Sequence, residues 1–167
     1  MSKIEVHKNK SLRLDNVLIN KVFRVSTLDS ENDSSLETFS IEAEVAKMNN
    51  EIITKGAQPV GPLVQYSGAK FQSDSGVEIE ICLMIQADRF INNINATYVM
   101  EPVISVKNCM YTRFTGLEED INFAYQKIQV EAYENEIKLK GSSFTIFLDS
   151  DNETGFITAD IFMERRA

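Results

Sequence analysis

Ser34-Ser35-Leu36-Glu37 and Thr115-Gly116-Leu117-Glu118 are one helix-opening signature written twice in the same chain. In each, the Ser or Thr oxygen can accept from the orphan amide three residues on, while the Glu reaches back to the amide of the cap. Each opens a long stretch of helical spacing, and each stretch stops at a Lys-Gly pair, Lys55-Gly56 and Lys140-Gly141. The Lys favours the negative end of the helix dipole, and the Gly can take the left-handed backbone that ends a helix. After each glycine come a short apolar strand, a polar turn and a second strand. The order strand, helix, strand, strand therefore runs twice. It predicts an α+β fold: a tandem duplication, with a mixed, mostly antiparallel sheet and two long helices on one face. A duplicated unit of that kind builds a groove along its pseudo-twofold axis.

Outward from the first signature, residues 17–27 are rich in Val, Ile and Phe and read as a strand, with 28–33 an acidic loop. Leu36, Phe39, Ala43 and Ala46 fall at steps of three and four, and Ile41, Val45, Ile52 and Ile53 broaden that stripe. The turn 56–62, stiffened by Pro59 and Pro62, leads to a strand at 63–67, and Asp74-Ser75-Gly76 marks a hairpin-type connection. Residues 77–83 alternate, with Val77, Ile79, Ile81 and Leu83 against Glu78, Glu80 and Cys82, as in a half-buried antiparallel strand. Polar residues 87–96 link the halves.

The second half reads as a strand at 103–114, then a helix with Leu117, Ile121, Ala124, Ile128, Ala132 and Leu139 on one stripe, a turn longer than the first. Strands at 144–148 and 156–163 follow, the last setting Ile157, Ala159, Ile161 and Met163 against Thr158, Asp160 and Phe162. Residues 1–16 read as a mobile basic start, and 17–167 as one domain of two repeats, 17–86 and 97–164.

The chain has 167 residues, 43% hydrophobic and 25% charged, which fits one soluble globular domain. Its net charge of -8 argues against a nucleic-acid partner, which needs a basic face, and against docking on anionic membranes. Only Lys3, Lys8, Lys10 and Arg13 give a local basic lean, read as a solvated start. No apolar run approaches the ~20 residues of a membrane helix, and the N-terminus lacks the apolar core of a secretory signal. Cys82 and Cys109 have no paired spacing, so neither a zinc site nor a disulfide framework is indicated. A reduced, cytoplasmic protein is the economical reading.

If the alternating apolar sets face the helices, the opposite sets lie on the open face of the sheet. Matching the halves then places Val64, Tyr66, Thr145 and Phe147 on that face, with Glu80 opposite Asp160 and Cys82 opposite Phe162. The ligand-binding candidates are therefore Val64, Tyr66, Glu80, Thr145, Phe147, Asp160 and Phe162, a set suited to an apolar or cationic small molecule. The bland alternative is ordinary cross-strand packing with solvated acids.

Catalytic sets are thin. His7 is the only histidine and falls in the basic start, and no GxSxG, HExxH or glycine-rich phosphate loop is present. The run Glu118-Glu119-Asp120 suits the positive end of a helix dipole. Catalysis would require Glu80 or Asp160 as general base beside Tyr66, desolvated enough to raise its pKa. Neither a cofactor nor a metal is implied.

Tyr111-Thr112-Arg113-Phe114-Thr115-Gly116, Ala124-Tyr125, Gly141 and Ser143-Phe144-Thr145-Ile146-Phe147 resemble the second half of the GyrI-like, multidrug-regulator effector-binding (SOUL-like) domains. Gly56, Pro59-Val60-Gly61 and Tyr66 resemble their first half. The resemblance implies the same tandem fold and the binding of small, often cationic, amphipathic molecules. It also implies a Glu and, two residues on, a Tyr on the ligand-facing strand of the second half, where this chain has Thr145 and Phe147. Some relatives hydrolyse small electrophiles with that Glu and nearby aromatics, Trp among them. This chain has neither that Glu nor any Trp. The implied function is a non-enzymatic, stand-alone small-molecule-binding domain. The alternative is a protein-interaction module for a neighbouring toxin, enzyme or regulator.

Overall fold

A computed structural model describes residues 4–26, 40–72 and 76–166 of the chain. The first strand, β1 (Val6–Ser26), starts well before residue 17. Leu12 and Leu14 flank Arg13 and are both buried, so a period-two apolar pair holds the basic segment in place. Lys8 and Lys10 are exposed positions of this strand.

Helix α1 (Ile41–Thr54) opens at Ser40, whose backbone is extended and whose hydroxyl accepts from the Ala43 amide at 3.2 Å. The signature Ser34-Ser35-Leu36-Glu37 lies outside the described residues. The exit agrees with the sequence reading, with Lys55 as the cap and Gly56 at φ +86. Strands β2 (Pro59–Gln72) and β3 (Gly76–Ala87) follow, with 73–75 outside the described residues.

The second half departs from expectation at both helix ends. Strand β4 (Val99–Leu117) runs through Thr115, Gly116 and Leu117, which pair with Thr158, Ile157 and Phe156. The ladder keeps this stretch extended, so Thr115 caps nothing. A single 3-10 turn (Glu118–Asp120) without a side-chain cap leads into α2 (Ile121–Glu134). Helix α2 stops with Asn135 as cap and Glu136 left-handed at φ +57. Lys140-Gly141 instead belongs to β5 (Leu139–Ser150), where Gly141 sits in the irregular stretch between Leu139 and Ser143. Both helices have 14 residues, so the second is not the longer. Strand β6 (Phe156–Arg165) completes an α+β set of six strands and two α-helices among the described residues.

These elements fall into two compact units, whose limits differ from the expected repeats. The first gathers Met1–Arg13, Pro62–Gln65 and Ile104–Ala167, and the second Leu14–Gly61 and Tyr66–Val103. In the first, β6 lies antiparallel between β4 and β5. Ala124, Ile128 and Ala132 of α2 pack there on Met110, Phe114, Ile157, Ala159, Ile161 and Met163. A fully buried side chain of the Ile or Met class contributes about 1.5–3 kcal/mol, so this layer is the unit's main source of stability. In the second unit β3 pairs antiparallel with β1, and α1 buries Met48 and Ile52. Residues Cys82, Leu83, Met84 and Ile85 are all buried. This part of β3 is therefore covered on both faces, not on alternate residues only.

Candidate functional site

In the first unit, Ile157, Ala159, Ile161 and Met163 do face α2, as the alternation of β6 requires. Asp160 and Phe162 therefore point to the opposite face, beside Arg113 and Tyr111, their register partners on β4. Thr145 and Phe147 do not join them. They pair with Ile161 and Ala159, Thr145 is buried with its hydroxyl hydrogen-bonded to that of Tyr125 on α2, and Phe147 packs on the helix-side core. Their parity was set by aligning short runs of sequence, whereas their actual face follows from the ladder to β6. Phe144, the partner of Phe162, is buried.

The remaining candidates are separately placed. Val64 is buried on β2 and belongs to the first unit. Tyr66 and Glu80 belong to the second, both half-buried, and Glu80 accepts from the Cys82 thiol at 3.5 Å.

Asp160 is the best-held acid of the first unit. Arg113 Nε donates to Oδ1 at 2.8 Å and Nη2 to Oδ2 at 3.1 Å, while the Tyr111 hydroxyl donates to Oδ1 at 2.8 Å. This forked pairing is the strong form of a carboxylate ion pair. Burial first, and then the bond to Asp160, raises the Tyr111 pKa, so the hydroxyl stays a donor. The Tyr111 ring meets Phe162 in a tilted contact at 4.9 Å between centres and His7 at 5.6 Å, with Lys10 Nζ 5.3 Å from its centre. His7 thus belongs to this aromatic cluster. The cluster pairs its own carboxylate with the Arg113 guanidinium.

An aromatic cavity that the sequence reading did not single out lies where β4 gives way to the 3-10 turn. It encloses about 650 Å³ and is lined by Ile4, Phe114, Leu117, Phe123 and Phe156, with Asp120 as its one acid. Phe123 is 61% exposed and Phe156 50%, so their rings are available to a ligand and not absorbed in the core. Local chemistry positions them. A Cβ on Gly116 would sit 3.1 Å from the Phe114 ring, so glycine leaves that ring room to lie along the strand. The turn before Phe156 is braced by Gly155 N to Asp151 O at 2.8 Å, Asp151 N to Phe156 O at 2.8 Å and Glu118 N to Gly155 O at 3.1 Å. Leu117 also borders a neighbouring cleft lined by Glu118, Glu119, Thr154 and Gly155.

The cavity has the size and apolar lining of a small-molecule site, with Asp120 in its wall. The sequence holds one signal for it: Phe123 and Phe156 are aromatics off the buried stripes, and Phe123 follows closely on the acidic run Glu118-Glu119-Asp120. Among the described residues no group of three or more His, Cys, Asp or Glu could hold a metal ion. No helix there is long and apolar enough to cross a membrane.

No protein-family model matches the sequence, and no curated protein matches it. Solved structures do match the fold. EcmrR in its complex with DNA aligns with a TM-score of 0.62 at 16% identity, over 98% of this chain and 57% of that one, so the chain spans little more than half of EcmrR. The EcmrR C-terminal domain by itself gives 0.58 at 14% identity, over 98% of this chain and 97% of that one. SAV2435 bound to tetraphenylphosphonium gives 0.53 at 11%, over 96% and 95%. A hydrolase from Listeria innocua gives 0.51 at 9%, over 95% and 92%. At these identities the likeness is one of fold.

Proposed function

We propose that the protein is an effector-binding-type domain of the GyrI-like kind that binds a small amphipathic aromatic cation without catalysing its conversion. The observation that carries this reading is the aromatic cavity with Asp120 in its wall. Phe114, Phe123 and Phe156 offer apolar and π surface, and Asp120, with Glu118 and Glu119 alongside, offers the negative charge that Thr145 does not supply. The fold shared with SAV2435, which binds tetraphenylphosphonium, supports the same ligand class. The Arg113 pair on Asp160 argues against that residue as a general base. The matched exits of α1 and α2 support reading the halves as a tandem duplication.

Calorimetric titration with tetraphenylphosphonium tests the site. Saturable binding should weaken about tenfold or more in Phe123→Ala and several-fold in Asp120→Asn, while Asp160→Asn, with Val64, Tyr66, Glu80 and Phe162 variants beside it, locates any contribution from the sequence-selected residues. Binding unchanged in Phe123→Ala but abolished in Asp160→Asn would move the site to the face of β4 and β6 that carries Tyr111 and Asp160. No binding by any aromatic cation, with a stable protein partner recovered instead, would favour the interaction-module reading.

A further inference from the structure

A second cleft in the first unit has the opposite chemistry. It encloses about 620 Å³ and is lined by Lys107 of β4, Lys140 of β5, Arg165 of β6 and Arg166, with Glu164 its only acid among the described residues. Four cations against one carboxylate stand out in a chain whose net charge is -8. Glu164 accepts from Lys140 at 2.8 Å, so that one charge is already answered. Lys107 and Arg166 are exposed and have no ion pair among the described residues.

Two of the four cationic residues are tied to backbone carbonyls. Arg166 N donates to Lys138 O at 2.8 Å, which pins the residue beside the start of β5. Arg165 Nη1 donates to Lys8 O at 3.0 Å, using one arm of its fork. Asn108, left-handed at φ +59, lies within β4 next to Lys107, and Asn9 and Ser105 add neutral polar groups. A cleft lined by one sign of charge concentrates its counter-ion. Planar guanidinium donors beside point-charge ammonium groups suit phosphate oxygens.

We infer that this cleft binds a phosphorylated small molecule through Lys107, Lys140, Arg165 and Arg166. It is separate in residues and in charge from the aromatic cavity, and it stands whether or not that cavity binds cations.

Titration of the full chain with pyrophosphate and with ATP, followed by calorimetry at rising NaCl, tests it. Saturable binding is expected, falling as salt increases. The double variant Lys107→Glu with Arg166→Glu should lose about tenfold or more, with its far-UV circular dichroism unchanged because both side chains are exposed. Lys127→Glu, exposed on α2, and Phe123→Ala should bind pyrophosphate as the parent does. Absence of saturation at millimolar pyrophosphate and ATP would overturn the inference. Equal loss in Lys127→Glu would also overturn it, by showing net charge rather than a site, and so would preferential binding of mixed-sequence duplex DNA over both small anions.

Discussion

The corner where α1 turns into β2 and the corner where α2 turns into β5 close on the same hydrogen bonds with different residues. In one, Lys55 N donates to Glu51 O, Gly56 N to Ile53 O and Ala57 N to Ile52 O; in the other, Asn135 N donates to Glu131 O, Glu136 N to Tyr133 O and Ile137 N to Ala132 O. Each then reaches a second left-handed residue, Gly61 or Gly141, inside the following strand. The difference lies at the first left-handed position, Gly56 in one corner and Glu136 in the other. The backbone path therefore belongs to the helix-to-strand geometry, and glycine only lowers its cost. A sequence scan for helix-ending glycines finds the first corner and slides past the second to Gly141.

The largest test of how alike the two units are lies beneath their helices. Ile52 and Ile128 are each fully buried, so Ile52→Ala and Ile128→Ala should each cost about 2–5 kcal/mol, measured by urea unfolding. A loss below about 1 kcal/mol for either one would show that its helix carries little of that unit's stability.

The cysteines, one in each unit, sharpen the contrast at high pH. Burial, with Glu164 second, pushes the Cys109 thiol from 9.0 up to about 11. A raised folded-state pKa stabilises fully below 9.0 and is lost as pH climbs from there to about 11. Relative to the parent, Cys109→Ala should lack up to about 1.4 kcal/mol of lost stability per pH unit across that window. Raised pKa values at Tyr98, Tyr111 and Tyr125 add an alkaline slope common to both proteins, which the subtraction removes. Parallel stability curves for parent and variant would refute the assignment.

The smallest effect addresses the corners directly. Glu136→Gly should stabilise by up to about 1 kcal/mol and Gly56→Ala should destabilise by a similar amount, since a side chain in left-handed backbone costs roughly 1–2 kcal/mol. No atom lies within 4 Å of a Cβ built at Gly56, so the penalty there is conformational alone. Thermal unfolding of the pair reads the difference, and same-sign shifts would break the equivalence of the two corners.

Local pattern in the sequence was enough for the α+β class, the existence of both helices, the exit at Lys55-Gly56 and the helix-facing set of β6, because helix and strand periodicities and glycine stops act within a few residues. It also placed Asp160 and Phe162 on the opposite face of β6. What tertiary structure decided was everything that depends on a partner strand. The ladder to β6 extended Thr115-Gly116-Leu117 and removed a cap that its own residues spell correctly. It also turned Thr145 and Phe147 toward α2, since a strand's face is set by register and one residue of misalignment reverses it. The Arg113 fork that neutralises Asp160, the aromatic cavity around Phe123 and Phe156, and the cationic cleft all join residues far apart in the chain. Charge pairing and concavity arise only when separate strands meet, so no window of sequence contains them.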